Sequence, residues 1–199
     1  MEMPGLFTCF GYGSLVNRDT LPGDAKSARV RVSGWRRAWR HSSLSSTVRR
    51  CTLTVIPDPD CTIFGTIVAQ PLVQAETLQK REAQYGKIDL APAAIEWVDE
   101  RPDHWPEPFI HVGEAEHARP GDHDHPVLLS YLDTVVSGFL LTFGNDGPRH
   151  FMDTTADWHV PVLNDRRDPL YPRAPRLTTE ETALVDDLLA EAGAKLFER

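Results

Sequence analysis

The chain has 199 residues, a formal net charge of −8, and hydrophobic and charged fractions of 41% and 25%. Such a length and composition fit one soluble globular domain with a buried core and exclude a disordered chain. The acidic balance argues against nucleic acid as the main partner, and no stretch approaches the ~20 apolar residues of a membrane span. Cys9, Cys51 and Cys61 form neither a disulfide framework nor a CxxC metal site, which points to a reducing, cytoplasmic setting. Met1 to Gly5 lack the basic and apolar regions of a signal peptide, so none is expected.

Residues 6–10 read as a buried strand. It runs into Gly11-Tyr12-Gly13-Ser14-Leu15-Val16-Asn17. A strand ending in two glycines one residue apart can turn several N–H groups toward one point, a concavity suited to a carboxylate or a polarised carbonyl oxygen. The plain alternative is an ordinary glycine turn. Residues 17–24 read as a polar loop. Residues 29–39 alternate as a strand with Trp35 and Trp39 on one face. Residues 52–57 form another strand, ended by a turn at Asp58-Pro59-Asp60, and residues 62–69 a third. Residues 75–85 are helix formers, with Gly86 as the C′ residue. Residues 88–98 read as a strand in which Pro92 marks an edge or an irregular start. Residues 101–126 are loop around a short apolar island at 108–112. Residues 128–140 have helical spacing, followed by a turn at 144–147, a short helix within 151–158 and an irregular Arg/Pro-rich segment at 161–176. The last helix opens at Thr178 with a capping box and ends near Ala192. Strands come first and helices are interleaved late, which predicts one α+β domain with a mixed or antiparallel, barrel-like sheet.

Four groups carry candidate chemistry. Glu82 lies near the end of its helix, toward the Leu78 face. Burial and the helix dipole both disfavour its charge there, which suits a general base near neutral pH. Alternatively it is a solvated residue or pairs with Arg81. His111, His117, Asp122, His123, Asp124 and His125 offer metal-ligand types, but their spacing in a Gly/Pro-bounded stretch reads as a hydrophilic loop. Ser14 as a hydrolase nucleophile is disfavoured, because the G-x-S-x-G elbow would need a glycine at the position of Val16. Tyr131 sits on an otherwise apolar helix, so its hydroxyl needs a partner, and a pocket is one place to find it. The run Asn164-Asp165-Arg166-Arg167 could cap a pocket, but reads more simply as a solvated ion-pair cluster.

Phe10-Gly11-Tyr12-Gly13-Ser14-Leu15 resembles the YGSL signature of the γ-glutamyl cyclotransferase-like superfamily, which includes ChaC-type glutathione-degrading enzymes and AIG2-like plant proteins. Gly34-Trp35-Arg36-Arg37-Ala38-Trp39 resembles the GWRR strand of ChaC-type members. The stretch from Leu78 to Tyr85 resembles the segment that carries the catalytic glutamate, and Ser130-Tyr131-Leu132 the late helix whose tyrosine lines the pocket. The resemblance covers roughly residues 6 to 145, leaving a C-terminal extension from about 146 on the same single domain. It implies a small mixed β-barrel with flanking helices. It implies a small-molecule γ-glutamyl substrate cyclised to 5-oxoproline, with Glu82 as general acid/base and no metal or cofactor. Tyr12, Gly13, Ser14, Leu15, Val16, Asn17 and Tyr131 would bind the substrate. Val16-Asn17 stand where ChaC-type enzymes carry Ile-Trp, so glutathione itself is not implied. The alternative is a non-catalytic, AIG2-like barrel that binds a small acidic ligand or a protein.

Overall fold

A computed structural model describes residues 5–43 and 49–198. Its main sheet is laid down by three strands, β1 (Leu6–Gly11), β2 (Lys26–Ser43) and β3 (Arg50–Pro71). β3 pairs antiparallel with both others. The expected turn at residues 58–60 does not reverse the chain, so the two strands predicted at 52–57 and 62–69 are one. Its turn chemistry is present, since the Asp60 N–H donates to Asp58 Oδ1 at 3.1 Å. The register nevertheless jumps from Ser33↔Thr62 to Trp35↔Pro57, so residues 58–61 bulge opposite the single residue Gly34. Gly34 has φ +88, a conformation that side chains disfavour.

Downstream lie α1 (Ala75–Arg81), β4 (Tyr85–Asp89), β5 (Ile95–Trp97) and β6 (Phe109–Gly113). The helix is shorter than predicted: Glu82 is already its C-cap (φ −106, ψ 29). Gly86 is not a C′ residue, because it pairs with Val112 in the sheet. The expected strand at 88–98 is split by a short 3-10 turn, Pro92–Ala94. Its halves go to opposite ends of the sheet, whose order is β4-β6-β1-β3-β2-β5. The sheet is mixed, as expected, and among the described residues its strand pairing does not show a closed barrel. The proline-bearing turn between β4 and β5 sends them apart, while the segment after β6 bridges back to β2 at His41↔Ala118.

The C-terminal half contributes β7 (Val127–Leu128), α2 (Leu129–Phe143), α3 (Asp146–Asp153), β8 (Thr155–Ala156), β9 (Val162–Leu163), α4 (Thr179–Glu191) and β10 (Leu196–Phe197). The short helix predicted within 151–158 thus begins and ends earlier. β10, β9 and β7 form a small parallel sheet. α2 is apolar on most of its surface and is buried at Leu129, Leu132, Val135, Val136 and Phe139. It packs into the same cluster as Phe10, Val30, Trp39, Ile63 and Ile67 from the sheet. Phe151, Val162, Val185 and Leu189, from beyond residue 146, join that cluster too. α4 starts with the predicted capping box: the Thr178 hydroxyl accepts from the Glu181 N–H, and the Glu181 carboxylate accepts from the Thr178 N–H.

Candidate active site

After β1 the chain makes a 3-10 turn, Ser14–Val16. The Val16 N–H donates to the Gly13 carbonyl at 3.0 Å and the Asn17 N–H to the Ser14 carbonyl at 3.1 Å. These two N–H groups are consumed by the turn, whereas those of Ser14 and Leu15 precede its first bond and have no partner within it. Arg37 on β2, fully buried, holds the loop from below. Its Nε donates to the Tyr12 carbonyl at 2.7 Å and its other nitrogens to the Phe64 carbonyl and the Thr154 hydroxyl. The guanidinium lies over the rings of Phe139 and Phe151, 5.0 and 5.3 Å from their centroids. Burial pushes its pKa down to about 9, which leaves it charged at neutral pH. The Tyr12 hydroxyl donates to the His111 carbonyl at 2.8 Å.

Val16 and Asn17 do not reach the site. Val16 is part of the core. The Asn17 side chain donates to the Thr134 carbonyl on α2 at 2.9 Å and accepts from the Asp19 N–H at 3.0 Å. Neither lines the inner or the outer cavity, because the 3-10 turn rotates them toward α2. They anchor the loop instead.

Tyr12, Gly13, Ser14 and Leu15 line a small inner cavity of about 50 Å³, together with Glu82, Tyr85, His111 and Tyr131. It adjoins an outer cavity of about 520 Å³, whose wall includes Ser14, Glu82, Tyr85 and Tyr131 again. Glu82 thus stands between the two. Gly13 is required by a close approach: a Cβ there would meet the Tyr131 hydroxyl at 2.8 Å. The Glu82 side chain is 17% exposed and lies 3.3 Å from Arg81 Nε. Arg81 also donates to the Ser14 hydroxyl at 2.9 Å and the Thr20 carbonyl at 3.3 Å, so it ties the carboxylate to the loop. Burial pushes the Glu82 carboxyl above its ordinary value, and the charges of Arg81 and Arg173 oppose that rise. The solvated alternative for Glu82 fails, while the pairing with Arg81 is present.

Three wall residues are ones that sequence reasoning did not assign to the site. Tyr85 donates to the Leu53 carbonyl at 2.8 Å; its place three residues after Glu82 was the signal. His111 is buried and its Nε2 has no hydrogen-bond partner among the described residues. Burial with Lys87 and Arg81 nearby pushes its pKa down to about 4, so it is neutral near pH 7. Arg81 was visible only as a neighbour of Glu82. His41 braces the turn after Glu82, with its ring nitrogens 2.8 Å from the Thr52 hydroxyl and 3.0 Å from the Gln84 carbonyl.

The histidines of the stretch do not gather into one cluster among the described residues, although His117 lies with Glu114 and Glu116, their ligand atoms all within 4.8 Å of one another. His125 lies 3.3 Å from Asp122, His123 packs on Phe197, and His117 lies 3.3 Å from Glu116. Ser14 is held by Arg81 rather than by a histidine among the described residues. The run from Asn164 to Arg167 is neither wholly solvated nor a cap. Asp165 is buried and accepts from the Ser130 N–H at 2.8 Å and hydroxyl at 2.6 Å, serving the start of α2. Arg166 makes a two-bond contact with Asp133 at 2.9 and 2.8 Å. The wall of the outer cavity is reached by Tyr171, Pro172 and Arg173 instead.

At the level of sequence, neither a protein-family profile nor a curated protein matches the chain. Solved structures do. One described as gamma-glutamyl cyclotransferase is 11% identical, with 92% of this chain and 99% of that one covered and a TM-score of 0.56. An uncharacterized protein from Homo sapiens is 12% identical, with 91% and 98% covered and a TM-score of 0.54. YkqA from Bacillus subtilis is 15% identical, with 72% and 52% covered and a TM-score of 0.51. The chain has the γ-glutamyl cyclotransferase-like fold, a mixed sheet with flanking helices. Among the described residues no helix is long and apolar enough to cross a membrane.

Proposed function

We propose that this protein is a γ-glutamyl cyclotransferase-like enzyme that closes a γ-glutamyl group to 5-oxoproline and releases an amine or amino acid. The observation that carries this reading is the meeting of Glu82, the Gly13–Leu15 loop and Tyr131 around one cavity. The α-amine of the substrate loses a proton to the Glu82 carboxylate and attacks the γ-carbonyl carbon. A C–N bond forms and closes the five-membered ring. The proton passes from Glu82 to the leaving nitrogen as the original amide C–N bond breaks. A carboxyl with a raised pKa suits both transfers. The Ser14 and Leu15 N–H groups, unused by their turn, are suited to hold the substrate's carboxylate or the developing oxyanion. The nucleophile is part of the substrate, so proximity supplies much of the rate.

The test is to incubate the protein with γ-glutamyl dipeptides, glutathione and γ-glutamylamines and to assay 5-oxoproline. Turnover is expected in wild type and not in Glu82→Gln. Turnover that survives Glu82→Gln unchanged removes Glu82 as the base. Binding of γ-glutamyl compounds with no 5-oxoproline formed replaces the reading with a non-catalytic binding protein.

A further inference from the structure

The outer cavity is strongly cationic at its wall, in a chain whose net charge is −8. Arg50, Lys80, Arg81 and Arg173 line it, with Glu82 the single carboxylate. Arg81 is engaged with Glu82 and Ser14, and Lys80 pairs with Glu76 at 2.7 Å. Arg50 and Arg173 have no ion pair among the described residues, although Arg29, Arg31, Arg36 and Arg40 each have a carboxylate partner.

Arg173 is carried on a built support. Asp165 accepts from the Leu170 N–H at 2.9 Å as well as from Ser130, and the Tyr171 N–H donates to the Ser130 hydroxyl at 3.2 Å. A turn closed by the Ala174 N–H on the Tyr171 carbonyl at 3.1 Å then presents Arg173. Next to it, the Tyr171 hydroxyl is buried in the same wall with no partner among the described residues. A buried hydroxyl left in this way is a group that a polar ligand would satisfy.

We infer that the outer cavity is a subsite for a carboxylate on the leaving group, with Arg173 as its specificity-determining residue and Arg50 and Tyr171 beside it. This rests on the reading of Glu82 as the reacting centre. Glu82 borders both cavities, so the scissile amide lies at their junction. The glutamyl end then faces the loop, and the departing amine faces the outer cavity. Arg50, Tyr171 and Arg173 line only that outer side. At about 520 Å³ it lies within the ~300–1,000 Å³ of pockets that enclose small ligands. A planar guanidinium with free donors fits a carboxylate by two parallel hydrogen bonds. The preferred substrates are γ-glutamyl amino acids or peptides rather than γ-glutamylamines.

The experiment compares γ-glutamyl-alanine with γ-glutamyl-alaninamide, which differ in the leaving-group charge. Wild type is expected to favour the acid by roughly tenfold in kcat/KM, expressed in KM, because Arg173 is partly screened by solvent. Arg173→Met should bring that ratio near one, and Arg173→Lys should restore part of it. Equal use of acid and amide by wild type, or a ratio unchanged in Arg173→Met, overturns the subsite and leaves the cyclotransferase reading standing. If no 5-oxoproline forms from either compound, the reaction fails. The subsite is then judged by calorimetric binding of the same two compounds: discrimination that Arg173→Met abolishes supports it, and equal binding or none overturns it.

Discussion

The loop from Tyr12 to Asn17 and the end of α1 face each other across the inner cavity, and the loop is the more deeply clamped of the two. Arg37 holds the Tyr12 carbonyl, the His111 carbonyl holds the Tyr12 hydroxyl, and Thr134 holds the Asn17 amide. Each of these bonds is buried, so displacing the loop strands polar groups at about 1–3 kcal/mol apiece. α1 buries only Leu78, and Arg81 is its tie to the loop. Few buried contacts mark the easily opened parts of a fold. Under the proposed function the two have different jobs: a rigid cradle that positions, and a carboxylate whose effect is electrostatic. Damage to the first should appear mainly in stability, and damage to the second mainly in rate.

The sharpest way to break this comparison is Glu82→Gln. Loss of a general base should lower kcat by about 10²- to 10⁴-fold. The raised carboxyl means that the native state binds more protons than the unfolded chain between the ordinary value of 4.5 and the folded value. That contribution to stability is present below 4.5 and lost as pH rises through the folded pKa. Removing the ionisable group should therefore leave the Tm at pH 7 no lower than in wild type. A matched pH–rate profile of wild type should show an acid limb above 4.5. A large drop in Tm would make Glu82 a structural residue.

Arg37→Met tests the other side. It leaves the Tyr12 and Phe64 carbonyls and the Thr154 hydroxyl without their donor. The expected loss is about 3 kcal/mol, read from urea unfolding. Unchanged stability would show that the cradle is not held by that guanidinium. Gly13→Ala should cost less, about 1–3 kcal/mol for overpacking, because its Cβ would meet Tyr131 and Leu53 at 2.8 and 3.1 Å. A rise in KM should accompany it, and a variant with wild-type KM would separate Gly13 from the substrate. A further effect, confined to low pH, is expected on acid stability. His111 and His150 are both pushed down to about 4 from 6.5, largely by burial. The unfolded chain takes up their protons first as pH falls. Their contribution is therefore complete above 6.5 and lost as pH drops toward 4. His150 Nε2 accepts from the Phe64 N–H at 3.0 Å, so His150→Gln, which keeps an acceptor, should flatten the fall of Tm across that window.

Local chemistry made much of the arrangement legible. β1, the helical character of 128–140 and the Thr178 capping box follow from periodicity and capping, which are short-range effects. The Asp58-Pro59-Asp60 turn does not reverse the chain, for an instructive reason. Its Asx-type hydrogen bond forms as expected, but Gly34 across the sheet lets the four residues bulge while pairing resumes on the far side. A partner strand more than twenty residues away thus decided whether a turn became a reversal. The strand at 88–98 was split for a similar reason: an apolar run interrupted by a proline does not say on which edge of the sheet each half will pair.

The sequence by itself singled out the candidate site residues, because glycine spacing, a glutamate at a helix end and a tyrosine on an apolar helix are each visible within a few residues. It also carried the resemblance that sets them in one site. Tertiary structure decided which of them share a cavity. It turned Val16 and Asn17 into anchors and exposed Arg81, Tyr85 and His111 as wall. It also brought Tyr171 and Arg173, more than eighty residues beyond Glu82, to the outer side. Those outcomes depend on packing between distant segments, where burial and the need to satisfy every buried donor and acceptor act on the whole chain at once.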